Sequence, residues 1–152
     1  MRVFQFLVMF IGLTALGQNS NMTSEDQLKD LIEDSFQNIF SDMELQALET
    51  YCTQDFLLLE NGEVWDMEKM RNYLKRSRKQ NTEVERINSF DFVEINIKGK
   101  MAWVAYYNTA EFMLGDDLIR EMNWLESATA ILTDEGWKLQ LLHSTLIKKE
   151  KI

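Results

Sequence analysis

The sequence predicts one α+β domain, in which three helices in the N-terminal half precede a long, curved, antiparallel or mixed sheet. Two observations carry this prediction. Residues 24–80 hold three stretches with apolar side chains at helical spacing, whereas residues 84–147 alternate between apolar and polar side chains, as half-buried strands do. A sheet bent around its helices makes a cone with a pocket inside. The length of 152 residues favours one domain over two.

The N-terminal segment, residues 1–17, has the pattern of a secretory signal peptide. After one positive charge, residues 3–16 are nearly all apolar, and Ala15 and Gly17 place small residues before a cleavage site at Gln18. The apolar run is short for a membrane span. We therefore expect a secreted or periplasmic protein with no stable membrane anchor. The alternatives are an uncleaved anchor and a buried N-terminal helix.

A polar spacer at residues 18–23 leads into the domain, which we place at residues 24–150. Ser24 and Gln27 have the spacing of a capping box and open a first helix. The apolar stripe of this helix consists of Leu28, Leu31, Ile32, Ser35, Phe36, Ile39 and Phe40. Residues 41–42 then end the helix and cap a second, shorter one.

Turn residues and caps predict the remaining elements. Residues 56–59 form a short strand, which the Asn61-Gly62 turn connects to a brief return strand at residues 64–65. Asp66 then caps a third helix. Four long strands follow, and the turns between them fall at residues 98–100, 114–117 and 134–136, each of which contains a glycine.

The composition argues against several classes of partner. The formal net charge is −9, and it becomes −10 when the signal peptide is removed with its one charged residue, Arg2. So acidic a domain repels nucleic-acid backbones and anionic membrane surfaces. Cys52 is the only cysteine, so no intrachain disulfide exists, and one histidine without clustered ligands argues against a metal site. The sequence has no phosphate-binding loop and no dinucleotide fingerprint, so we expect no cofactor.

His143, the sole histidine, is the leading candidate for acid–base chemistry because an imidazole titrates near neutral pH. Strict alternation along the last strand puts His143 on one face with Trp137, Leu139, Leu141 and Thr145. We expect this face to line the pocket. The alternative is a structural histidine that is hydrogen-bonded to a neighbouring strand.

Glu126 lies on the preceding strand, nearly opposite residues 143–145. The turn between the two strands leaves their register open by one residue. In one register, Glu126 shares the face of His143 and orients the imidazole as its carboxylate partner. In the other register, Glu126 faces solvent, and Ser127 and Thr129 share the histidine's face.

Large aromatic side chains supply candidate walls for the pocket. Aromatic residues at alternating strand positions are most often core residues, but those that line a pocket favour a flat or apolar organic ligand. The candidate ligand-binding residues are Trp65, Trp103, Tyr107, Trp124, Ser127, Thr129, Leu141 and Thr145.

The order of elements and the closing hairpin resemble a known superfamily. The hairpin runs from Trp124-Leu125-Glu126-Ser127-Ala128 through Gly136-Trp137-Lys138 to His143-Ser144-Thr145, and Tyr51, Asp55 and the Asn61-Gly62 turn add to the likeness. Residues 24–148 resemble the nuclear transport factor 2-like (NTF2-like) superfamily, and within it the SnoaL-like branch, named for a polyketide cyclase. The resemblance implies a cone-shaped, cystatin-like α+β fold.

Two further expectations come from this resemblance. A related steroid isomerase has an aspartate at about the place of Glu60 that abstracts the substrate proton, which makes Glu60 a candidate base. The acidic-residue-then-proline pattern of the family is missing here, and the alternative is a solvated glutamate at a strand end. Dimers of this fold pack their outer sheet faces together, and we expect a homodimer. The outward apolar side chains are expected to be Val104, Tyr106, Ala128, Leu142 and Leu146.

Three functions are compatible with this fold, because the scaffold carries dehydratases, isomerases, cyclases and non-enzymatic assembly domains. The leading hypothesis is an exported domain that binds a small, largely apolar molecule. The second is a cofactor-free acid–base enzyme with His143 as its base. The third is a non-catalytic interaction module, which alone would remain if the cavity were smaller than roughly a few hundred Å³.

Overall fold

The computed structural model describes residues 22–80 and 83–151, which form one α+β domain. The predicted signal peptide and most of the polar spacer lie outside the described residues. Three helices and a six-stranded mixed sheet confirm the predicted fold class. Among the described residues, no helix is both long enough and apolar enough to cross a membrane.

Helix α1 spans Ser24–Ser35 and continues directly into a π-helical segment at Phe36–Ser41. The N-cap of α1 is Thr23, one residue earlier than predicted. The Thr23 hydroxyl accepts a 3.1 Å hydrogen bond from the Asp26 amide, and the Asp26 carboxylate accepts one from the Thr23 amide. Asp26 therefore closes the capping box, and the prediction of Ser24 with Gln27 is wrong by one position.

The other two helices are α2 at Ala47–Tyr51 and α3 at Met67–Gln80. Helix α2 begins later than predicted, because the preceding connection includes Met43 with a positive φ of 55°. Asp66 caps α3 as predicted and accepts a 2.8 Å hydrogen bond from the Lys69 amide. The apolar side of α3 is buried through Met67, Met70 and Leu74.

Six strands form one sheet with the order β2-β1-β6-β5-β4-β3. Strands β1 and β6 run parallel, and every other neighbouring pair is antiparallel. The strands are β1 Cys52–Glu60, β2 Glu63–Trp65, β3 Val84–Lys98, β4 Met101–Leu114, β5 Asp117–Thr133 and β6 Gly136–Lys151.

The helices cover one face of this sheet, which we call the inner face, and leave the opposite, outer face open. Val104, Tyr106, Ala128 and Leu142 are almost completely buried on the inner face, where they join the core formed with the helices. The expectation that they point outward is therefore wrong, and Leu146 alone of that set is partly exposed. Alternation separates two sets of side chains, but it does not show which set the helices cover.

A β-bulge in β6 changes which side chains point inward. Thr129 pairs with Leu141 and Ala130 pairs with Leu139, so Gln140 is an extra residue between two regular pairs. Alternation resumes after the bulge with the opposite phase. Leu139 is buried before the bulge and Leu142 is buried after it, an odd spacing that strict alternation does not allow.

Candidate ligand cavity

A cavity of about 1050 Å³ opens between the inner sheet face, the π-helical segment and α3. The sheet contributes Glu60, Arg86, Arg120 and Trp124 to its lining, and α3 contributes Tyr73. Phe40 lines it from the π-helical segment. The candidate site is therefore a large hollow with aromatic walls and a few charged groups, as ligand pockets usually are.

The π-helical segment positions one wall of this cavity. Its turns are wider than those of α1. The last of them is closed by a 2.8 Å hydrogen bond from the Asp42 amide to the Gln37 carbonyl. Ser41 at the end of the segment accepts a 2.9 Å hydrogen bond from the Asn88 side chain on β3. This bond ties the cavity wall to the sheet.

Three cavity residues lie in one cross-strand row on the inner face. Arg86 on β3 pairs with Phe112 on β4, and Phe112 pairs with Arg120 on β5. The guanidinium carbon of Arg120 lies 3.7 Å from the centroid of the Phe112 ring, and that of Arg86 lies 5.8 Å from it. Both distances are within the range of cation–π attraction.

Arg86 is held from several sides. Its Nε donates a 2.9 Å hydrogen bond to Asn88, and its guanidinium also approaches the rings of Phe36, Phe40 and Trp124 within 6 Å. Burial lowers the pKa of Arg86, whereas the nearby negative charges of Glu126 and Glu60 raise it.

Glu126 occupies a second cross-strand row on the inner face and does not line the cavity. It is buried on the inner face, where the Ser144 hydroxyl donates a 2.6 Å hydrogen bond and the Asn108 amide a 3.3 Å one to its carboxylate. Burial raises the pKa of Glu126 to about 7, although Ser144, Asn108 and the Arg86 charge each lower it. The fully buried hydroxyl of neighbouring Tyr106 has no hydrogen-bond partner among the described residues, and burial raises its pKa well above the usual range.

Glu60 lies at the end of β1 and lines the cavity. Partial burial raises the pKa of its carboxyl group, and the Arg86 charge opposes this shift. Ser144 pairs with Glu60 on one side and with Glu126 on the other, so both acids lie in one row of the sheet. The cone thus holds two carboxyl groups with raised pKa values near one buried arginine.

The predicted site residues divide between the two faces of the sheet. Glu60, Trp65 and Trp124 line the cavity, and Glu126 lies on the same inner face. The other predicted residues lie on the outer face, which contradicts their expected position in the pocket: Trp103, Tyr107, Ser127, Thr129, Leu141, His143 and Thr145.

His143 is exposed, and the expectation that its ring points into the cone is wrong. The Gln140 bulge is the physical reason, because it reverses the phase of β6 before residue 143. His143 pairs with Ser127, while Glu126 pairs with Ser144 and faces the interior, so His143 and Glu126 do not share a face. The imidazole borders a second hollow of about 460 Å³ beside the β1–β2 turn, and Glu60 and Thr145 also line this hollow.

Exposed apolar residues form a patch on the outer face, which we call the outer patch and define by Met101, Trp103, Tyr107 and Leu125. Each of these side chains is between 42% and 53% exposed. Trp103 and Tyr107 alternate along β4, and Leu125 pairs directly with Tyr107. Contiguous exposed apolar surface of this kind is typical of an interaction site.

Arg86, Arg120, Phe112 and Tyr73 are cavity residues that were not identified from the sequence. A signal was present for Arg86, because it alternates with Val84, Asn88 and Phe90 in β3 and so lies on the same face as core residues. A charged residue at an inward position indicates a functional or paired group.

Cys52 does not take part in either hollow. Its side chain is buried, and burial raises the pKa of its thiol to about 12, which keeps it protonated and unreactive at neutral pH. Within residues 22–80 and 83–151, no group of three or more histidine, cysteine or acidic side chains is arranged to hold a metal ion.

Neither a known protein family nor a curated protein matches the chain by sequence. Solved structures do match. An NTF2-like protein from Cytophaga hutchinsonii has a TM-score of 0.64 at 17% identity, over 83% of this chain and 100% of that chain. A protein of cystatin-like fold from Nostoc punctiforme has a TM-score of 0.66 at 15% identity, over 83% of this chain and 94% of that chain. The CaMKII hub homology domain of Chlamydomonas reinhardtii has a TM-score of 0.72 at 14% identity, over 83% of this chain and 100% of that chain.

These structures show that the chain has the NTF2-like, cystatin-like α+β fold, which confirms the predicted fold. Identities this low show the fold alone. The SnoaL-like branch stays a prediction.

Proposed function

We propose that this chain is an exported NTF2-like domain that binds a small organic molecule with an apolar or aromatic body inside its cone. The cavity of about 1050 Å³ is the observation that carries this proposal. Its volume lies at the upper end of the range usual for ligand pockets, roughly 300–1000 Å³. A cone filled by its own side chains would leave no such space.

The lining of the cavity supports a ligand with a largely apolar body. Aromatic side chains come from five separate elements, namely Phe40, Trp65, Tyr73, Phe112 and Trp124. Trp65 and Tyr73 pack edge to face with ring centroids 5.4 Å apart, which gives that wall a fixed shape. Rigid aromatic walls suit a flat or aliphatic body better than a strongly hydrated one.

The position of His143 favours binding over the acid–base mechanism that the sequence suggested. Its ring lies on the outer face, whereas the large cavity lies on the inner face. A general base must reach the proton that it abstracts within hydrogen-bond distance or through one water. His143 does not line the large cavity, so acid–base chemistry on a molecule bound there would depend on Glu60 instead.

The tryptophans provide a direct test of binding in the cavity. Trp65 and Trp124 line it, whereas Trp103 lies on the outer face. We expect 1-naphthaleneacetamide or octanamide, at millimolar concentration, to shift the indole N–H signals of Trp65 and Trp124 in a ¹⁵N-labelled sample. The Trp103 signal should not move. Unchanged signals with both amides would overturn the proposal.

Two substitutions on α3 provide a matched control. Ser77 lines the cavity and Lys75 does not, although only one residue separates them on the same helix. Ser77→Trp should fill the hollow and weaken binding of the amides by at least roughly tenfold, since it removes the space for them. Lys75→Trp should leave the affinity unchanged. Equal effects of the two substitutions would contradict binding at this site.

The outer patch supports self-association as a second function. Met101, Trp103, Tyr107 and Leu125 expose apolar surface on a face that no described element covers. A second copy is the occupant that we propose, because the solved structures with this fold include hub and association domains of a kinase. A dimer of this kind leaves the cavity open, so the two functions are compatible.

A further inference from the structure

The cavity concentrates positive charge within an acidic protein. The formal net charge of the chain is −9, yet the cavity lining includes Arg78, Arg86 and Arg120 against Asp42 and Glu60. Partial burial raises the pKa of Glu60, which favours its neutral form and removes negative charge from the cavity. The net charge of the cavity lining is therefore opposite in sign to the net charge of the whole protein.

The two arginines of the cross-strand row are half-buried and differ in how their charge is balanced. Arg86 lies near Glu60 and Glu126, whose negative charges raise its pKa, and its Nε is hydrogen-bonded to Asn88. Arg120 differs from Arg86 in its contacts. Its Nε is buried without a hydrogen-bond partner, and none of the ion pairs among the described residues involves it.

Arg120 is nevertheless held in place. Its guanidinium lies 3.7 Å from the centroid of the Phe112 ring, and Phe112 separates it from Arg86 in the cross-strand row. The charge of Arg120 lowers the pKa of Arg86, which shows that the two cations repel each other. A guanidinium that lies against an aromatic ring, near a second cation in the same cavity lining, is complementary to an anion.

We propose that the ligand is an amphipathic organic carboxylate and that Arg120 binds its carboxylate group. The apolar body of the ligand then lies against Phe112, Trp124 and Phe40, which line the same hollow. A carboxylate beside Arg120 accepts hydrogen bonds from its guanidinium group and reduces the repulsion between Arg120 and Arg86. This inference rests on the proposed function and adds the chemical class of the ligand.

The test compares two probes that share one body and differ in charge. Binding of 1-naphthaleneacetate and of 1-naphthaleneacetamide to the full mature chain is measured by calorimetry, and the tryptophan signals confirm the site. We expect the acid to bind at least roughly tenfold more tightly than the amide, because hydrogen bonds to charged partners are the stronger ones. Octanoate and octanamide repeat the comparison with an aliphatic body.

Variants then identify the residue responsible. Arg120→Gln should abolish the preference for the acid, so that acid and amide bind with equal affinity, whereas Arg120→Lys, which keeps the charge, should retain part of the preference. Arg76→Gln removes the same charge from an exposed position on α3 outside the cavity and should change neither affinity.

The possible results separate the carboxylate inference, the role of Arg120 and the proposed binding function. Equal affinities of acid and amide for the unmodified protein overturn the carboxylate inference and leave the binding function in place. A preference that survives in Arg120→Gln overturns the role of Arg120. Failure of every probe to bind removes the proposed function, and this inference falls with it.

Discussion

Ser144 on β6 donates a 2.6 Å hydrogen bond to Glu126 on β5, and this buried pair lies directly across the sheet from Glu60 on β1. The serine hydroxyl stabilises the charged form of Glu126, whereas burial favours the neutral form more strongly, which raises its pKa to about 7. The interior of the cone therefore contains a carboxyl group that changes charge near neutral pH.

The first prediction concerns the dependence of stability on pH. The pKa of Glu126 rises from an ordinary 4.5 to about 7 in the folded state, so the folded chain binds more protons than the unfolded chain between these values. The contribution of Glu126 to stability is therefore greatest below about pH 4.5, falls as the pH rises, and levels off above about pH 7. The raised pKa of Glu60 contributes in the same direction.

Glu126→Gln should remove this slope, because the amide cannot ionise. We expect the free energy of unfolding at pH 8 to exceed that of the unmodified protein by about 1–3 kcal/mol, with the two values converging towards pH 5. Urea unfolding at pH 5, 6, 7 and 8 measures this difference in the free energy of unfolding. Glu85→Gln, at an exposed position of β3, is the control. If the free energy of unfolding depended on pH equally in Glu126→Gln and in the unmodified protein, this would contradict the buried environment of Glu126.

Arg86→Met tests the coupling between the cavity and the buried acids. The Arg86 charge lowers the pKa of both Glu126 and Glu60, and methionine keeps an apolar side chain against the Phe36 ring without the charge. We expect the pKa of Glu126 to rise above about 7 in the variant, as measured by carbon-13 NMR titration of the carboxyl groups. Arg71→Met, which removes an exposed partner of Glu49, should leave that pKa unchanged. An unchanged or lowered pKa in Arg86→Met would show that Arg86 and Glu126 are not coupled.

Adjacent residues of β6 test which face is buried. His143 is exposed and Leu142 is 1% exposed. His143→Ala should change the free energy of unfolding by less than about 0.5 kcal/mol, and Leu142→Ala should lower it by about 2–5 kcal/mol. Chemical unfolding of both variants is the measurement. A large loss of stability in His143→Ala, or a loss of amide binding, would mean that the histidine faces the interior after all.

The outcome for these two residues shows which part of the fold the sequence could reveal. Caps and turns are local signals, and Asp66, the Asn61-Gly62 turn and the glycine-containing turns of the sheet were predicted correctly. The face occupied by His143 is not a local property, because the bulge at Gln140 arises from how β6 pairs with β5 and β1. No residue type marks Gln140 as a bulge.

The residues that line the cavity could likewise be predicted only in part from the sequence. The sequence indicated an aromatic pocket, and Trp65 and Trp124 do line it, but it did not indicate that Arg86, Phe112 and Arg120 form one row. That row exists because three strands are aligned in register, including a bulge at Ile119 between the pairs of Arg120 and Leu118. Alternation within one strand carries no information about its partner's register.

Export is predicted from residues 1–17, which lie outside the described residues. Mass spectrometry of the protein from its native host should find Gln18 as the first residue. Leu7→Glu places a charge in the apolar run and should block cleavage, because this run is the part that the export machinery recognises. An intact Met1 on the mature, unmodified protein would refute the prediction.

Self-association through the outer patch is the last prediction. Trp103→Glu places a charge among apolar side chains that would be buried between two copies, and a buried charge without a partner is strongly unfavourable. We expect the unmodified chain to have twice the monomer mass in light scattering coupled to size-exclusion chromatography, and Trp103→Glu to have the monomer mass. Leu114→Glu, on the same strand but at its hairpin end, is exposed to a similar degree and should remain dimeric. Because Trp103 is only partly buried in the monomer, circular dichroism should show both variants folded. A monomeric unmodified chain at micromolar concentration, or dimeric Trp103→Glu, would exclude the outer patch as the contact surface.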